Sequence, residues 1–387
     1  MSKLEELIAE LCPDGVELKS LSQVLTIKNG KDYKGFDKGD IPVYGTGGIM
    51  TFIDRAAFEK PSVLIPRKGS IDKLYYVDVP FWTVDTIFYT DINTDIIEPK
   101  FVFYYLQAQH LERLNTAGGV PSLTQAVLNS VKIPLPPLPV QREIVRILDN
   151  FTELTAELTA ELSARKKQYE YYREKLLSFG DNVHYKKLGD LAKIGDGLHG
   201  TPEYKQDGEY YFINGNNLNN RKIEFYANTK KVDNDSYIKH GIEFSSKATI
   251  FMSINGTIGN VSVYDNERIV LGKSVAYFNI IADGLSNRFL FYLLQTNFSK
   301  IYYESKLTGS TIKNLGLKSL REYIIPVPPL EVQARIVAIL DRFDALCNDL
   351  SSGLPAEIAA RRQQYEYYRD QLLSFLVRAD GETEVGA

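Results

Sequence analysis

Two stretches of the chain carry apolar residues at the spacing of a long helix. In the first, apolar residues, aromatic residues or long aliphatic stems recur at Ile147, Phe151, Leu154, Leu158, Leu162, Arg165, Tyr169, Tyr172 and Leu176. The second follows with Ile339, Phe343, Leu346, Leu350, Leu354, Ile358, Arg361, Tyr365, Tyr368 and Leu372. Steps of three and four keep one side of a helix apolar along its whole length. We therefore predict two long helices, each with a continuous apolar seam.

The two helical stretches are copies of each other. The segment IPLPPLPVQREIVRIL at 133–148 recurs as IPVPPLEVQARIVAIL at 325–340, an offset of 192 residues. The segment RKKQYEYYREKLLSF at 165–179 recurs as RRQQYEYYRDQLLSF at 361–375, an offset of 196. The second copy has therefore gained four residues, which is one step of the pattern. We expect this insertion to lengthen the second helix and keep its seam intact, although the SSGLP run at 351–355 could interrupt it.

A helix of about 40 residues is roughly 60 Å long, which exceeds what packing within a globular domain normally needs. We therefore expect the two copies to pair as a coiled coil. An antiparallel pairing is favoured, because a parallel one would crowd the neighbouring globular segments at one end.

Two β-rich globular segments flank the helices. PSVLIPRKGSI (61–71) corresponds to KATIFMSINGTIGNVSVY (247–264), and VELKSLSQV (16–24) corresponds to VHYKKLGDL (183–191). Each segment then has one amphipathic helix, at 101–114 or 286–302, followed by a polar loop. KLEELIAEL at 3–11 is similar to the end of a repeat helix, so the order of parts is circular. We predict an α+β fold with two mixed α/β domains of common topology, related by a pseudo-twofold internal repeat.

These patterns divide the chain into five parts. They are a first globular domain (1–135), a central helix (136–180), a second globular domain (181–327), a C-terminal helix (328–378) and a tail predicted to be disordered (379–387).

The composition narrows the function classes without choosing one. The 387 residues are 44% hydrophobic and suggest two or three domains. No stretch approaches the roughly 18 apolar residues that span a bilayer. The 2 cysteines, Cys12 and Cys347, are far apart, which predicts no metal site, no disulfide and a reducing cytoplasm. A net charge of −4 argues mildly against nucleic acid, although a basic cleft can be hidden in such a sum.

The sequence predicts no catalytic site. GDGLHG at 195–200 matches a dinucleotide-binding pattern but lacks the strand–helix–strand context, and LGKS at 271–274 lacks the first glycine of a phosphate loop. The four histidines are scattered, and neither Pro-Pro pair lies in an amino-methyltransferase motif.

Polar, glycine-rich loops are the remaining candidates for function. Arg and Lys match guanine edges, Asn matches adenine, and lysines often contact phosphates. The candidate DNA-binding residues are Lys28, Lys31, Lys34, Thr46, Arg67, Lys68, Ser122, His199, Thr201, Asn214, Asn216, Asn217, Arg221, Asn255, Lys273, Ser310, Thr311 and Lys313. Ordinary solvated turns are the alternative, because Asn and Gly favour turns for backbone reasons.

The paired helical blocks resemble the conserved regions of type I restriction-modification specificity subunits. The run TELTAELTAEL at 152–162 is similar to the tetrapeptide repeat in that family's central helix, and GDGLHGTPEY and INGTIGNVSVY resemble its recurring turns. The first segment departs from this pattern, with Asp72 where the second has Gly259.

The resemblance implies a DNA-binding subunit without catalytic residues. Each domain would read one half of a bipartite, asymmetric site in double-stranded DNA. The helices would set the spacer through Phe151, Leu154, Leu158, Leu162, Tyr169, Tyr172, Phe343, Leu346, Leu350, Leu354, Ile358, Tyr365 and Tyr368. Two adenine-N6 methyltransferase subunits with S-adenosylmethionine, and two motor-nuclease subunits with ATP and Mg, would complete the complex. The alternatives are a structural coiled-coil scaffold and a stand-alone methyltransferase or nuclease.

Overall fold

The computed structural model describes residues 2–115, 119–219, 221–309 and 311–378. The predicted tail at 379–387 lies outside them. The first globular segment contains α1 (Lys3–Leu11), β1 (Glu17–Ser20), α2 (Leu21–Val24), β2 (Leu25–Asn29), β3 (Ile41–Gly45), β4 (Gly48–Ile53), β5 (Ser62–Pro66), β6 (Tyr75–Val77), β7 (Trp82–Thr83), β8 (Ile87–Ile92), α3 (Pro99–Ala108), α4 (Gln125–Ser130) and β9 (Lys132–Leu135).

The long helix α5 (Leu138–Leu176) comes next. The second segment contains β10 (His184–Lys187), α6 (Leu188–Leu191), β11 (Ala192–Asp196), β12 (Tyr210–Ile213), β13 (Lys231–Val232), α7 (Asn234–His240), β14 (Thr249–Asn255), β15 (Thr257–Val263), β16 (Ile269–Leu271), β17 (Val275–Ile280), α8 (Asn287–Leu293), α9 (Asn297–Lys306), β18 (Leu307–Thr308), β19 (Asn314–Leu315), α10 (Leu317–Glu322) and β20 (Ile324–Val327). It is followed by α11 (Leu330–Asn348) and α12 (Leu354–Leu372).

The chain forms two compact units that do not coincide with the sequence blocks. Unit 1 combines Met1–Thr159 with Glu357–Ala387, and unit 2 is Ala160–Ala356. Unit 1 therefore holds the first globular segment, the beginning of α5 and nearly all of α12. Unit 2 holds the second segment, the end of α5 and α11. Each unit draws on both copies of the repeat.

The two globular segments share one topology, as the sequence predicts. In unit 1 one sheet has the order β2-β8-β5-β6 and another the order β4-β3-β7, with β3 and β7 parallel. In unit 2 the orders are β11-β17-β14-β19-β18, with β15 on β14, and β13-β12-β16, with β12 and β16 parallel. Short antiparallel pairs, β1–β9 and β10–β20, lead into the helices. The fold is α+β, and the two segments are variants of one domain.

Each unit has its own hydrophobic core. In unit 1, α3 buries Phe101, Val102 and Leu106 against the sheet and against the beginning of α5. In unit 2, α8 does the same with Phe289 and Leu290. Packing an apolar helix on one face of a sheet buries the apolar surface of both elements.

The expectation that the four inserted residues lengthen the second helix is wrong, and the interruption that the SSGLP run allows is present. The helical conformation stops after Asn348 and resumes at Leu354, so the four inserted residues belong to a turn at 349–353 and do not extend the helix. Leu350, predicted as a seam position, is 80% exposed. The turn is compact because a Cβ on Gly353 would lie 2.5 Å from the Ala345 carbonyl oxygen, so only glycine fits there.

The amphipathic helix predicted at 286–302 is also interrupted. It forms α8 and α9, with Thr296 between them. The Thr296 hydroxyl accepts a hydrogen bond from the Ser299 amide and starts α9 as an N-cap.

Reciprocal aromatic contacts relate the two helical blocks. In unit 1 Phe151 stacks on Tyr368, with ring centroids 5.5 Å apart. In unit 2 the corresponding pair is Tyr172 and Phe343, at 5.6 Å. An early residue of one block therefore meets a late residue of the other in both units, which is the order that antiparallel pairing requires. Among the described residues, no helix combines the length and the apolar character needed to cross a membrane.

Candidate nucleic-acid interface

Four of the predicted residues of unit 1 lie close together, and we call them the first loop patch: Thr46, Arg67, Lys68 and Ser122. The Arg67 amide donates to the Thr86 carbonyl oxygen at 2.9 Å, and the Thr46 hydroxyl reaches the same oxygen at 3.4 Å. Lys68 pairs with Ser122 through an isolated antiparallel bridge. The backbone thus gathers residues that are up to 76 positions apart in the sequence.

The other three lysines of unit 1 that were predicted to bind DNA differ in their environments. Lys28 forms an ion pair with Asp91 at 2.7 Å and lies 5.4 Å from the centre of the Phe58 ring, so its charge is already compensated. Lys31 and Lys34 are exposed in the connection that follows β2. The Lys31 amide donates to the Thr83 carbonyl oxygen at 2.8 Å, which places Lys31 beside β7.

In unit 2 Ser274, directly before β17, connects two of the predicted loops. The Ser274 hydroxyl donates to the Asn214 side-chain oxygen at 3.1 Å and accepts from the Gly215 amide at 2.9 Å. The Ser274 carbonyl oxygen accepts from the Ile254 amide at 2.9 Å, next to Asn255.

Two further loops extend this region. The Lys273 amide donates to the Leu198 carbonyl oxygen at 3.0 Å, which brings Lys273 next to His199. The Gly256 amide donates to the Lys313 carbonyl oxygen at 3.0 Å. We define the second loop patch by what these contacts gather, namely His199, Asn214, Asn216, Asn255, Lys273 and Lys313. Thr201 and Thr311 are exposed in the flanking loops, and Ser310 lies outside the described residues.

The lysines in these loops carry uncompensated charge. Lys31, Lys34, Lys68, Lys273 and Lys313 are exposed, and none takes part in an ion pair within the described parts of the chain. Exposed, unpaired lysines beside Asn, Thr and Arg side chains fit a surface that holds phosphates and presents donors to base edges.

Comparison with known proteins decides the family. The model of the type I restriction modification DNA specificity domain matches residues 13–165 and again residues 180–360. The chain belongs to this family. Its role is that of a DNA-specificity subunit, and the two matches coincide with the two halves of the repeat.

Several relatives resemble this chain over most of its length. A putative type I restriction enzyme specificity subunit of Haemophilus influenzae is 31% identical over 386 residues, covering 93% of this chain and 96% of the relative. A type I restriction enzyme specificity subunit of Escherichia coli is 35% identical over 295 residues, covering 71% and 70%.

Two solved structures share the fold. A type I restriction-modification S subunit from M. genitalium has a TM-score of 0.59 at 16% identity and covers 92% of this chain and 96% of its own. A chain from a study of complex assembly and conformational transition of the type I R-M system has a TM-score of 0.62 at 18% identity, covering 93% and 98%.

Two residues that were predicted to contact DNA, Asn217 and Arg221, instead bind other parts of the protein. Asn217 is only 4% exposed, and its amide nitrogen donates to the Glu224 carbonyl oxygen at 2.8 Å. Its side-chain oxygen accepts from the Asn214 amide at 3.0 Å, so Asn217 supports the loop and does not present its amide to a ligand. The Arg221 guanidinium is paired with Asp344 at 2.9 Å. The prediction that these two side chains are available for DNA is corrected accordingly.

The glycine-rich motifs that resemble nucleotide sites have a structural explanation. A Cβ on Gly197 would lie 2.1 Å from the Leu271 carbonyl oxygen, so the GDGLHG turn needs glycine for close backbone approach. In the LGKS run, Ser274 holds the Asn214 loop as described above. The sequence gives no signal for this role of Ser274, because its partner Asn214 lies 60 residues earlier in the chain.

Two buried glutamine side chains, which were not among the predicted residues, fix each globular segment on its helix. The Gln141 side-chain oxygen accepts from the Glu98 amide at 2.8 Å, and its nitrogen donates to the Ile96 and Pro136 carbonyl oxygens at 3.0 and 2.7 Å. In unit 2 Gln333 repeats this pattern on the Ser286 amide and on the Gly284 and Pro328 carbonyl oxygens. The signal was present, because both glutamines occupy the same place in the repeated VQ motif.

A second anchor recurs about two turns further along each helix, eight residues after each glutamine. Asp149 accepts hydrogen bonds from the Tyr104 hydroxyl at 2.6 Å and from the Lys100 ammonium at 2.7 Å. In unit 2 Asp341 binds the Tyr292 hydroxyl at 2.5 Å and also the Arg288 guanidinium. Burial, together with the hydrogen bond to Asp149, raises the pKa of Tyr104, so the hydroxyl remains a donor. Each loop patch is therefore carried by a segment that is rigidly fixed to its own part of the helices.

Proposed function

We propose that each unit reads one half of a bipartite, asymmetric DNA site through its loop patch, while the helical blocks set the spacer. One observation carries this proposal: the two units repeat the same strand order and the same Gln and Asp anchors, but their patches present different side chains. Unit 1 presents Thr46, Arg67 and Lys68, whereas unit 2 presents Asn214, Asn216 and Asn255. Arg fits guanine and Asn fits adenine. Two domains of the same topology with different patch residues should therefore read two different half-sites.

The partners follow from the same proposal. The solved structure whose study describes assembly of a type I R-M system supports assembly of this chain with other subunits of such a system. We assign adenine-N6 methylation with S-adenosylmethionine to two modification subunits. We assign ATP- and Mg-dependent translocation and cleavage to two motor-nuclease subunits, and no cofactor to this chain. Partner subunits would also supply part of the phosphate contacts, which compensates for the net charge of −4.

The test is to map methyladenine in host DNA with and without this gene, and then with single patch variants. We expect one bipartite methylated motif that disappears with the gene. Asn216→Ala removes an exposed amide and should relax base preference in one half only, by about ten- to a hundredfold. Arg67→Ala is the matched variant and should relax the other half.

Two results would contradict the proposal. One is the absence of any bipartite methylated motif that depends on the gene. The other is a change in both half-sites when a patch residue of a single unit is replaced.

A further inference from the structure

Arg221 connects the second globular segment to the end of α11. Its Nε lies 2.9 Å from Oδ2 of Asp344, and its Nη2 lies 3.9 Å from Oδ2 of Asp349. Asp344 is 5% exposed, and its other carboxylate oxygen accepts from the Asn348 amide at 2.9 Å. Arg221 therefore supplies the opposite charge that a buried carboxylate needs.

The second carboxylate of this contact belongs to the four-residue insertion. The interruption between α11 and α12, which we call the helix-break turn (residues 349–353), begins with Asp349. Oδ1 of Asp349 accepts from the Ser351 amide at 2.8 Å and from the Ser351 hydroxyl at 2.6 Å, which leaves Oδ2 for Arg221. Hydrogen bonds from Ser351 and then the nearby charge of Arg221 lower the pKa of Asp349 to about 2, so the group stays ionised at neutral pH.

The first repeat has no counterpart of this arrangement in the described residues. The position equivalent to Asp344 is Thr152, whose hydroxyl donates to the Leu148 carbonyl oxygen of its own helix at 3.0 Å. The helix α5 continues through this region without a turn. The insertion and the buried carboxylate thus occur together, and only in the second block.

From Arg221 a short series of contacts leads to the second loop patch. Leu218 and Ile223 pair across an antiparallel bridge on either side of Arg221. The Glu224 amide donates to the Asn217 carbonyl oxygen at 2.7 Å, and the Asn217 side chain holds the Asn214 amide. A displacement of Arg221 would therefore be transmitted to loop 214–216.

The contact of Arg221 with its two carboxylates is partly open to solvent, since the Arg221 side chain is 34% exposed. A cavity of about 1170 Å³ lies beside it within unit 2, and polar side chains such as Lys166, Lys300 and Asn348 form much of its wall. Two ion pairs join Arg221 to the end of α11 and to the helix-break turn.

We propose that Arg221 is a positioning residue, which fixes the second loop patch on the helix-break turn through Asp344 and Asp349. The four inserted residues serve this contact and do not set the length of the helix. Arg221 acts on recognition of one half-site without touching DNA. This inference rests on the proposed function, because it assigns the second loop patch to one half-site.

Removing the charge of Asp344 distinguishes a positioning role of Arg221 from direct contact between Arg221 and DNA. Asp344→Asn removes a negative charge, which should leave unchanged or strengthen binding to a polyanion if Arg221 contacts phosphate. If Arg221 positions the patch, the same variant weakens discrimination at the second half-site by about tenfold. Arg221→Ala gives a similar loss, and the double variant loses no more than Arg221→Ala alone, because both changes break one contact.

The measurement is equilibrium binding of the complex with its modification subunits to duplexes that carry both half-sites, only the first, or only the second. We expect Arg221→Ala and Asp344→Asn to reduce preference for the second half-site and to leave the first unchanged. The slope of log K against log salt should stay as in the wild type, whereas loss of a phosphate contact would lower it by about 0.9. Lys222→Ala, a neighbouring exposed cation, is the control and should leave second-half preference unaltered.

The possible results distinguish a failure of the positioning role from a failure of the proposed function. Tighter binding by Asp344→Asn, or a reduced salt slope for Arg221→Ala, would overturn the positioning role and assign Arg221 to DNA. Equal loss at both half-sites would also overturn it, because that would indicate general unfolding. If the wild-type complex discriminates neither half-site, the proposed function itself fails, whatever the variants do.

Discussion

At the scale of single residues, a few buried polar groups determine how each globular segment is held. Gln141 and Gln333 are fully buried, and each side chain satisfies one backbone amide and two carbonyl groups. Buried backbone groups that lose their partners pay the full cost of desolvation. These two glutamines therefore matter more for stability than the larger number of exposed ion pairs.

Replacing either glutamine should destabilise only its own unit. Gln141→Ala leaves the Glu98 amide and two carbonyl groups without partners, and we expect a loss of about 1–3 kcal/mol in the stability of unit 1. Hydrogen exchange read by mass spectrometry checks this, with faster exchange around β9 and α3. Gln333→Ala is the matched variant and should produce the same effect in unit 2. Equal effects of one variant on both units would contradict the expectation.

The buried carboxylate of Glu143 should contribute to the loss of folding stability at low pH. It is 4% exposed at its side chain and lies 2.6 Å from Arg146 and 2.9 Å from Lys3. Hydrogen bonds from Arg146 and then Lys3 lower its pKa from 4.5 to about 2. Because the folded pKa is depressed, the stabilisation is complete above about pH 4.5 and is lost as the pH falls towards 2.

Glu143→Gln should therefore flatten the dependence of unfolding free energy on pH between about 4.5 and 2. Denaturant unfolding at a series of pH values measures this slope. Glu331→Gln, which removes the exposed partner of Arg335, should leave the slope unchanged. An unchanged slope for Glu143→Gln would show that the depressed pKa does not contribute to stability.

At the scale of elements, α5 is the part of the chain whose length bears on the spacer. It is helical from Leu138 to Leu176 and passes from unit 1 into unit 2 within its tetrapeptide repeats. The hydroxyls of Thr152, Thr155 and Thr159 donate to the carbonyl oxygens four residues earlier, so these polar residues remain within the helix. Leu158 and Leu162 are half-buried.

Deleting one Thr-Ala-Glu-Leu unit, residues 155–158, should shorten the recognised spacer by about one base pair. Four helical residues span about 6 Å and add about 40° of rotation, whereas one base pair rises 3.4 Å and turns about 35°. Methylome mapping of the deletion strain measures the spacer directly. Duplicating the same unit is the matched control and should lengthen the spacer by a similar amount. Altered bases in either half-site would contradict the separation between helices and patches.

At the scale of the whole molecule, the circular order of parts is completed by backbone contacts inside unit 1. The Val16 amide donates to the Leu376 carbonyl oxygen at 2.8 Å, and the Arg378 amide donates to the Val16 carbonyl oxygen at 3.0 Å. The Arg378 guanidinium also donates to the Gly15 carbonyl oxygen at 3.0 Å. The chain thus returns after α12 to the beginning of β1, where unit 2 has a covalent connection from α5 to β10.

Truncation after Phe375 should loosen unit 1 and spare unit 2. It removes the contacts of Leu376, Val377 and Arg378, so we expect faster hydrogen exchange in β1 and β9. Truncation after Arg378 is the control, because it keeps those contacts, and it should behave as the full chain does. Equal exchange in the two truncated proteins would show that the closing contacts add no stability.

The sequence by itself determined the repeat, the α+β class and the common topology of the two globular segments. These follow from periodicity and from direct copies such as VQREIVRIL and VQARIVAIL, which depend on local spacing alone. It also identified the loops that carry the patches, because glycine and asparagine mark turns wherever they occur.

Only the tertiary structure decided which side chains are free and which are used internally. Arg221 and Lys28 have the same character in the sequence as Arg67 and Lys68, and they differ because Asp344 and Asp91 lie opposite them after folding. The four inserted residues match a helical step in spacing, yet they form a turn. The reason is that an ion pair with a segment more than 120 residues earlier, and a close contact at Gly353, outweigh local periodicity. Contacts between residues so far apart in the chain cannot be recognised from the spacing of apolar residues in the sequence.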